Sequence, residues 1–181
     1  MDLSDYECVW QRVRNAEAYK TGYCMNERGF QALLYKELSS KFSGKSKHKN
    51  VVVEPLWYQC GKLKYRPDLV MIDSDKISDI FEIKFAPWYN RVEHENDEKK
   101  LLEYREKKKW DYYVRTEYRH SKDYTLKLSG KCNLHLVRVA KQGCAAVEPK
   151  NISDKIFLWY GSIHKDPKDD CWGISKGKRE G

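Results

Sequence analysis

Across residues 51–86 the chain changes period, and that change limits the folds open to it. Before it, apolar residues recur every third or fourth position, as a helix burying one face requires. Within it, three short β-branched and aromatic runs follow one another, over 51–58, 64–73 and 79–86. They read as strands. The links Cys60-Gly61-Lys62 and Ser74-Asp75-Lys76 are too short for a crossover, so antiparallel hairpins are expected.

The flanks supply helices. Tyr6, Val9, Trp10 and Val13 predict a first helix, with Ser4 and Glu7 as its capping box and Gly22 as its stop. Phe30, Leu33, Leu34, Leu38 and Phe42 form the apolar stripe of a second, over 26–42. The charged stretch 93–114 reads as a solvated helix packing through Leu101, Leu102 and Tyr104. Two more strands are expected at 133–140 and 155–163, followed by a loose polar tail over 164–181. The order α, α, β, β, β, α, β, β predicts one α/β domain, a sandwich with a central mixed sheet of four to five strands flanked by helices. Residues 1–24 would be its N-terminal helix and 25–163 its core.

Composition removes several classes of function. No apolar run reaches the roughly 20 residues of a membrane span, and the acidic start lacks the order of a signal peptide, so a cytoplasmic protein without membrane partners is expected. The six cysteines include no CxxC pair, which argues against a structural zinc knuckle and for buried thiols. No P-loop, GxSxG or HxxxH spacing occurs. The formal net charge of +8 would draw a polyanion, and nucleic acid is the commonest one.

One constellation carries chemistry. Glu82 and Lys84 stand two apart on a strand, so both side chains leave one face, and Asp68 lies one hairpin upstream. Charges on apolar strands are costly to desolvate unless something compensates them. A divalent cation would compensate the two carboxylates, and hard oxygen ligands suit magnesium, with manganese able to substitute. The pattern [DE]xK occurs six times in the chain, but the copy at Glu82 is the one set inside an apolar strand, and Pro67-Asp68 is the single PD dipeptide. The alternative is an ordinary ion pair between Glu82 and Lys84 on a solvated strand.

These residues resemble the PD-(D/E)XK nuclease superfamily, which has a restriction-endonuclease-like fold, over roughly residues 26–110. The resemblance implies that Asp68, Glu82 and the Ile83 carbonyl hold magnesium, that Lys84 serves the attacking water, and that Glu27 is the first acidic position. Glu27 would be a further ligand, with Glu37 as its substitute; Gln31, four residues on, is expected behind these ligands, and Glu54, on the strand before, either there or as one more ligand. Some relatives carry a Gln and a Tyr in the following helix; here Tyr104 is present and the Gln is not. Lys45, Lys47, His48 and Lys49 in one basic stretch, and Lys107, Lys108 and Lys109 in another, offer phosphate contacts that fix position without reading sequence. Trp88 and Tyr89 offer stacking on an unpaired base or packing at a sheet edge. The expected activity is metal-assisted hydrolysis of phosphodiesters, with DNA as substrate and a two-fold dimer if both strands are cut. A catalytically silent nucleic-acid-binding module of the same fold is the competing reading.

Overall fold

The computed structural model describes residues 3–20, 26–42, 49–55, 57–59, 62–74, 76–86, 95–106, 109–114, 122–141, 156–163 and 173–176. Helix α1 (Leu3–Asn15) buries Tyr6, Val9, Trp10 and Val13, and a short α2 (Glu17–Lys20) follows. Ser4 lies inside the first turn of α1 rather than ahead of it, so it is not the expected cap. Helix α3 (Glu27–Phe42) starts where Asn26 caps it, the Asn26 Oδ1 accepting the Gly29 N–H at 2.8 Å.

Strand β1 (Lys49–Val53) is antiparallel to β4 (Leu69–Asp73), and β4 to β5 (Lys76–Phe85). Between β1 and β4 the chain folds out into a hairpin, β2 (Trp57–Gln59) and β3 (Lys62–Tyr65). The strands expected over 51–58 and 64–73 are therefore each broken in two. The breaks fall at Glu54-Pro55 and Arg66-Pro67, where proline removes a ladder donor and Glu54 takes a left-handed φ of 43°.

Helix α4 (Glu95–Glu106) crosses from β5 to β7 (Lys122–Lys141), which runs parallel to β5. The single helix expected over 93–114 ends at Glu106, and Lys109–Val114 forms strand β6 instead. Its sequence, Trp110 to Val114, is aromatic and β-branched enough to prefer a strand. Strand β7 also begins eleven residues earlier than the predicted 133. Strand β8 (Ile156–Ile163) pairs in parallel with β7, and β9 (Gly173–Lys176) pairs with β8 inside the region expected to be a loose tail.

The sheet thus holds a six-strand path, β1-β4-β5-β7-β8-β9, rather than four or five. Strands β6, β2 and β3 extend it from the first half of β7. One face packs α1 and α3 through Tyr6, Trp10, Phe30, Leu34, Phe81, Ile83, Phe85 and Trp159. The other packs α4 through Ile80, Leu101, Tyr104, Leu134 and Leu136. Helix α1 contributes Tyr6, Val9, Trp10 and Val13 to this core. Among the described residues no helix is long and apolar enough to cross a membrane.

Under α1 lies a buried polar knot. The Asp79 carboxylate accepts from the Tyr6 hydroxyl, from His135 Nε2 at 2.9 Å, from Asn133 Nδ2 at 3.1 Å and from Ser78 Oγ at 2.6 Å. Trp159 Nε1 donates to His135 Nδ1 at 3.1 Å, which puts the imidazole proton on Nε2 and leaves the ring neutral. Burial alone would raise the Asp79 carboxyl, but the bonds from His135, Ser78 and Tyr6 outweigh it and hold it below its usual value. Every acceptor is used, so the knot fixes how α1 docks without an orphaned charge.

Candidate active site

The site forms where β4 leaves β5. Their pairing ends at Leu69↔Phe81, and two residues further the same register would set Pro67 opposite Ile83. Proline has no N–H to offer the Ile83 carbonyl, so the ladder stops there. Side chains then take over the edge of β5. The Ile83 N–H donates to Asp68 Oδ2 at 2.6 Å, and the Phe85 N–H donates to Glu27 Oε2 at 3.2 Å. A residue of an antiparallel strand presents its N–H and C=O to the same edge, so the Ile83 carbonyl opens beside Asp68.

Two further residues fix Asp68 through its backbone. Its carbonyl accepts the Gln31 amide at 2.8 Å and the Glu54 N–H at 2.9 Å. The Glu54 carboxylate in turn pairs with Arg66. Glu27, Arg28, Gln31, Glu54, Arg66, Asp68 and Ile83 together line a cavity of about 300 Å³.

Glu82 lies across the strand, facing α4, and is 3% exposed. Its Oε1 accepts the Tyr104 hydroxyl at 3.0 Å and its Oε2 accepts Lys100 Nζ at 2.8 Å. Lys100 and Tyr104 stand four apart, one helical turn, which aims both at one carboxylate. Burial is the main cause that pushes the Glu82 carboxyl up to about 7, with the neighbouring Asp68 charge adding to it and Lys100 opposing. Asp68 is raised as well, first by desolvation, against the Ile83 N–H that favours its ionised form. Two coupled carboxyls are therefore both raised, chiefly by burial, although Lys100 and Arg138 lie near enough to oppose the shift.

The expected residues divide as follows. Asp68, Glu27, Gln31 and Glu54 meet at the cavity with Ile83; Glu82 does not line the cavity but couples electrostatically to Asp68, which the β4–β5 register would set opposite it. Lys84 follows Glu82 on the same strand and is exposed, with no ion-pair partner among the described residues. Glu37 pairs with Lys36 at 4.0 Å and does not line the cavity. Lys49, expected to meet phosphate, pairs with Asp73 at 3.5 Å and lies over the Phe42 ring, because β1 and β4 are in register there. Lys45, Lys47, His48, Trp88, Tyr89, Lys107 and Lys108 lie outside the described residues, and so does the side chain of Lys109. Lys100 was not expected. In a helix of alternating lysines and glutamates its one mark is the spacing to Tyr104.

The donor set suits a hard divalent ion. Asp68 Oδ2, the Ile83 carbonyl and Glu82 are oxygen donors, and both carboxyls are raised in a way that added positive charge would relieve. Among the described residues no group of three acidic, histidine or cysteine side chains converges as a ready metal cage, so a backbone carbonyl and water would have to complete the sphere. No family model, curated protein or solved structure matches the chain.

Proposed function

We propose that the chain is a magnesium-dependent nuclease of the PD-(D/E)XK kind, hydrolysing phosphodiester bonds of nucleic acid, with DNA as the substrate class to test first. The observation that carries this reading is the pair of desolvated carboxyls, Asp68 and Glu82, raised side by side at the break in the sheet. Structural ion pairs also perturb pKa values, but two coupled carboxyls raised by burial, one of them lining a cavity, mark a candidate functional site.

In this reading Asp68, Glu82 and the Ile83 carbonyl would hold the ion, and Glu27 keeps the edge of β5 in place through the Phe85 N–H. Bound there, magnesium would supply charge neutralisation at the phosphoryl oxygen and a lowered pKa for an attacking water. Lys84, exposed and on the face of Glu82, orients that water or meets the charge that develops on the phosphate. Lys100 and Tyr104 hold the Glu82 carboxylate by both oxygens, which limits its rotation before any ligand arrives. Gln31 and Glu54 hold the Asp68 backbone in the same way. Cleavage of both strands of a duplex would call for two copies related by a two-fold axis.

The test compares wild type with Lys84→Ala on linear, nicked, branched and single-stranded DNA, with magnesium, manganese or EDTA. The expected result is cutting by wild type in the presence of metal alone, and binding without cutting by the variant. If wild type and variant bind equally and neither cuts any substrate, the nuclease reading fails and the silent binding module replaces it.

A further inference from the structure

Helix α4 brings Lys100 and Tyr104 to Glu82, yet little apolar surface seats it. Leu101 and Tyr104 are its buried residues, with Leu102 partly so. Its other contacts with the sheet are polar and fall on one stripe. Asp97, Lys100 and Tyr104 follow one another at i, i+3 and i+7, which is one face of a helix. Two of the three end on Glu82, the carboxylate that the proposed function gives to the ion.

The third contact is different. Asp97 Oδ2 accepts Arg138 NH2 at 3.0 Å, and Arg138 NH1 donates to the Val137 carbonyl at 3.0 Å. Arg138 is 6% exposed, on the central strand β7, in register with Lys84 of β5. Its Nε is buried without a hydrogen-bond partner among the described residues. A buried cation with an unmatched donor costs about 1–3 kcal/mol relative to a matched one. Its charge also acts on Glu82, Asp68 and Glu27.

We infer that Arg138 is a positioning residue: through Asp97 it pins the start of α4, so that Lys100 and Tyr104 stay over Glu82 while that carboxylate exchanges partners. This rests on the nuclease reading for its purpose, although not for its geometry. When an ion draws on Glu82, the bonds from Lys100 and Tyr104 must loosen or be shared. The Asp97–Arg138 pair is the polar tie on that stripe that ends on neither proposed ligand, and so it keeps the helix in register. A shift of one ångström at such a carboxylate can cost about a hundredfold in rate.

The experiment uses the full chain as wild type, Arg138→Met, Arg138→Lys and Asp97→Asn. Two readouts are taken: hydrogen exchange of the α4 amides in EDTA, and cleavage kinetics with magnesium. We expect Arg138→Met and Asp97→Asn to lower protection across α4 about tenfold or more, while β5 and β7 keep theirs, because the loss is local opening rather than global unfolding. Turnover should fall about ten- to a hundredfold with KM changed less than about twofold, and Arg138→Lys should recover most of it. Asp97, half-exposed, gives the reading if Arg138→Met does not fold. Unchanged α4 protection in Asp97→Asn, or a uniform loss of protection in Arg138→Met that Asp97→Asn does not share, overturns the inference. If wild type cuts nothing, the nuclease reading fails by itself, and the exchange data still decide whether Arg138 pins α4.

Discussion

Replacing Glu82 by glutamine removes the charge of that side chain and keeps its shape. The carboxyl is raised from an ordinary 4.5 to about 7, chiefly by burial. The folded state therefore holds the proton more tightly than the unfolded chain does, and stability must fall as pH climbs from 4.5 through 7. A shift of that size corresponds to about 3 kcal/mol lost by pH 8. Glutamine escapes this loss but has a single acceptor oxygen, so it can accept from Tyr104 or from Lys100 and not from both, and it forfeits the charge attraction of a partly exposed lysine; together these losses cost about 1–2 kcal/mol. In EDTA, Glu82→Gln should therefore be more stable than wild type by about 1–2 kcal/mol at pH 8, with most of the gain gone at pH 5. Urea unfolding at the two pH values measures both numbers. A variant equally destabilised at both would mean that the Glu82 carboxylate is comfortable where it sits, and the electrostatic case for a cation would go with it.

Other outcomes follow from the same geometry. Titration of manganese at pH 6 in two buffers of different ionisation heat should reveal about one proton released per ion bound, because a protonated Glu82 cannot serve as ligand; Lys100→Met should move the pH midpoint of that binding upward, since the ammonium that favours the ionised form is gone. Gln31→Met removes one of two bonds to the Asp68 carbonyl, so Tm should register a loss of about 1 kcal/mol while cleavage falls about tenfold. In the Glu82→Gln background, stability should decline as pH drops below 6.5, since His135 is held low by burial and stays neutral while the unfolded chain takes up its proton, and decline again below 3.8, where the unfolded chain protonates this aspartate while native Asp79 stays ionised; a flat acid scan would refute the buried knot. Tyr6→Phe, which takes one donor from Asp79, should cost about 1–3 kcal/mol by the same unfolding assay.

How much of this could be read from residues alone depends on where the signal was local. The helix from Glu27 to Phe42 and the strands around Asp68 and Glu82 announce themselves through apolar period, and their pairing through the brevity of their links. The kinks at Glu54 and Arg66 were written in Pro55 and Pro67, whose missing N–H groups matter more than the β-branched residues around them. Strand β6 was hidden because lysines ahead of it continue the charge pattern of α4. Four-residue β9 exists through pairing with β8, a long-range contact that no window over Gly173–Lys176 can carry. Lys100 was invisible for a related reason: its neighbours have the same charges, and only the fold selects the one that reaches Glu82. Gln31 and Glu54 were placed near the site by spacing, but that both would grip the Asp68 carbonyl could be known only once α3 and β1 were packed together.

The gap beside Ile83 has a consequence for how this site could be lost. Asp68 and Glu27 occupy two backbone donors that a longer β4 would otherwise claim. Exchange Pro67 for a residue with an N–H, and Asp68 for an apolar β-branched one, and β4 is able to zip onward over β5. The product would be a more regular sheet and a harder protein to unfold, with its cavity sealed by its own backbone. Selection for stability alone would run in that direction, so on the nuclease reading the site depends on a sheet left unfinished beside Pro67.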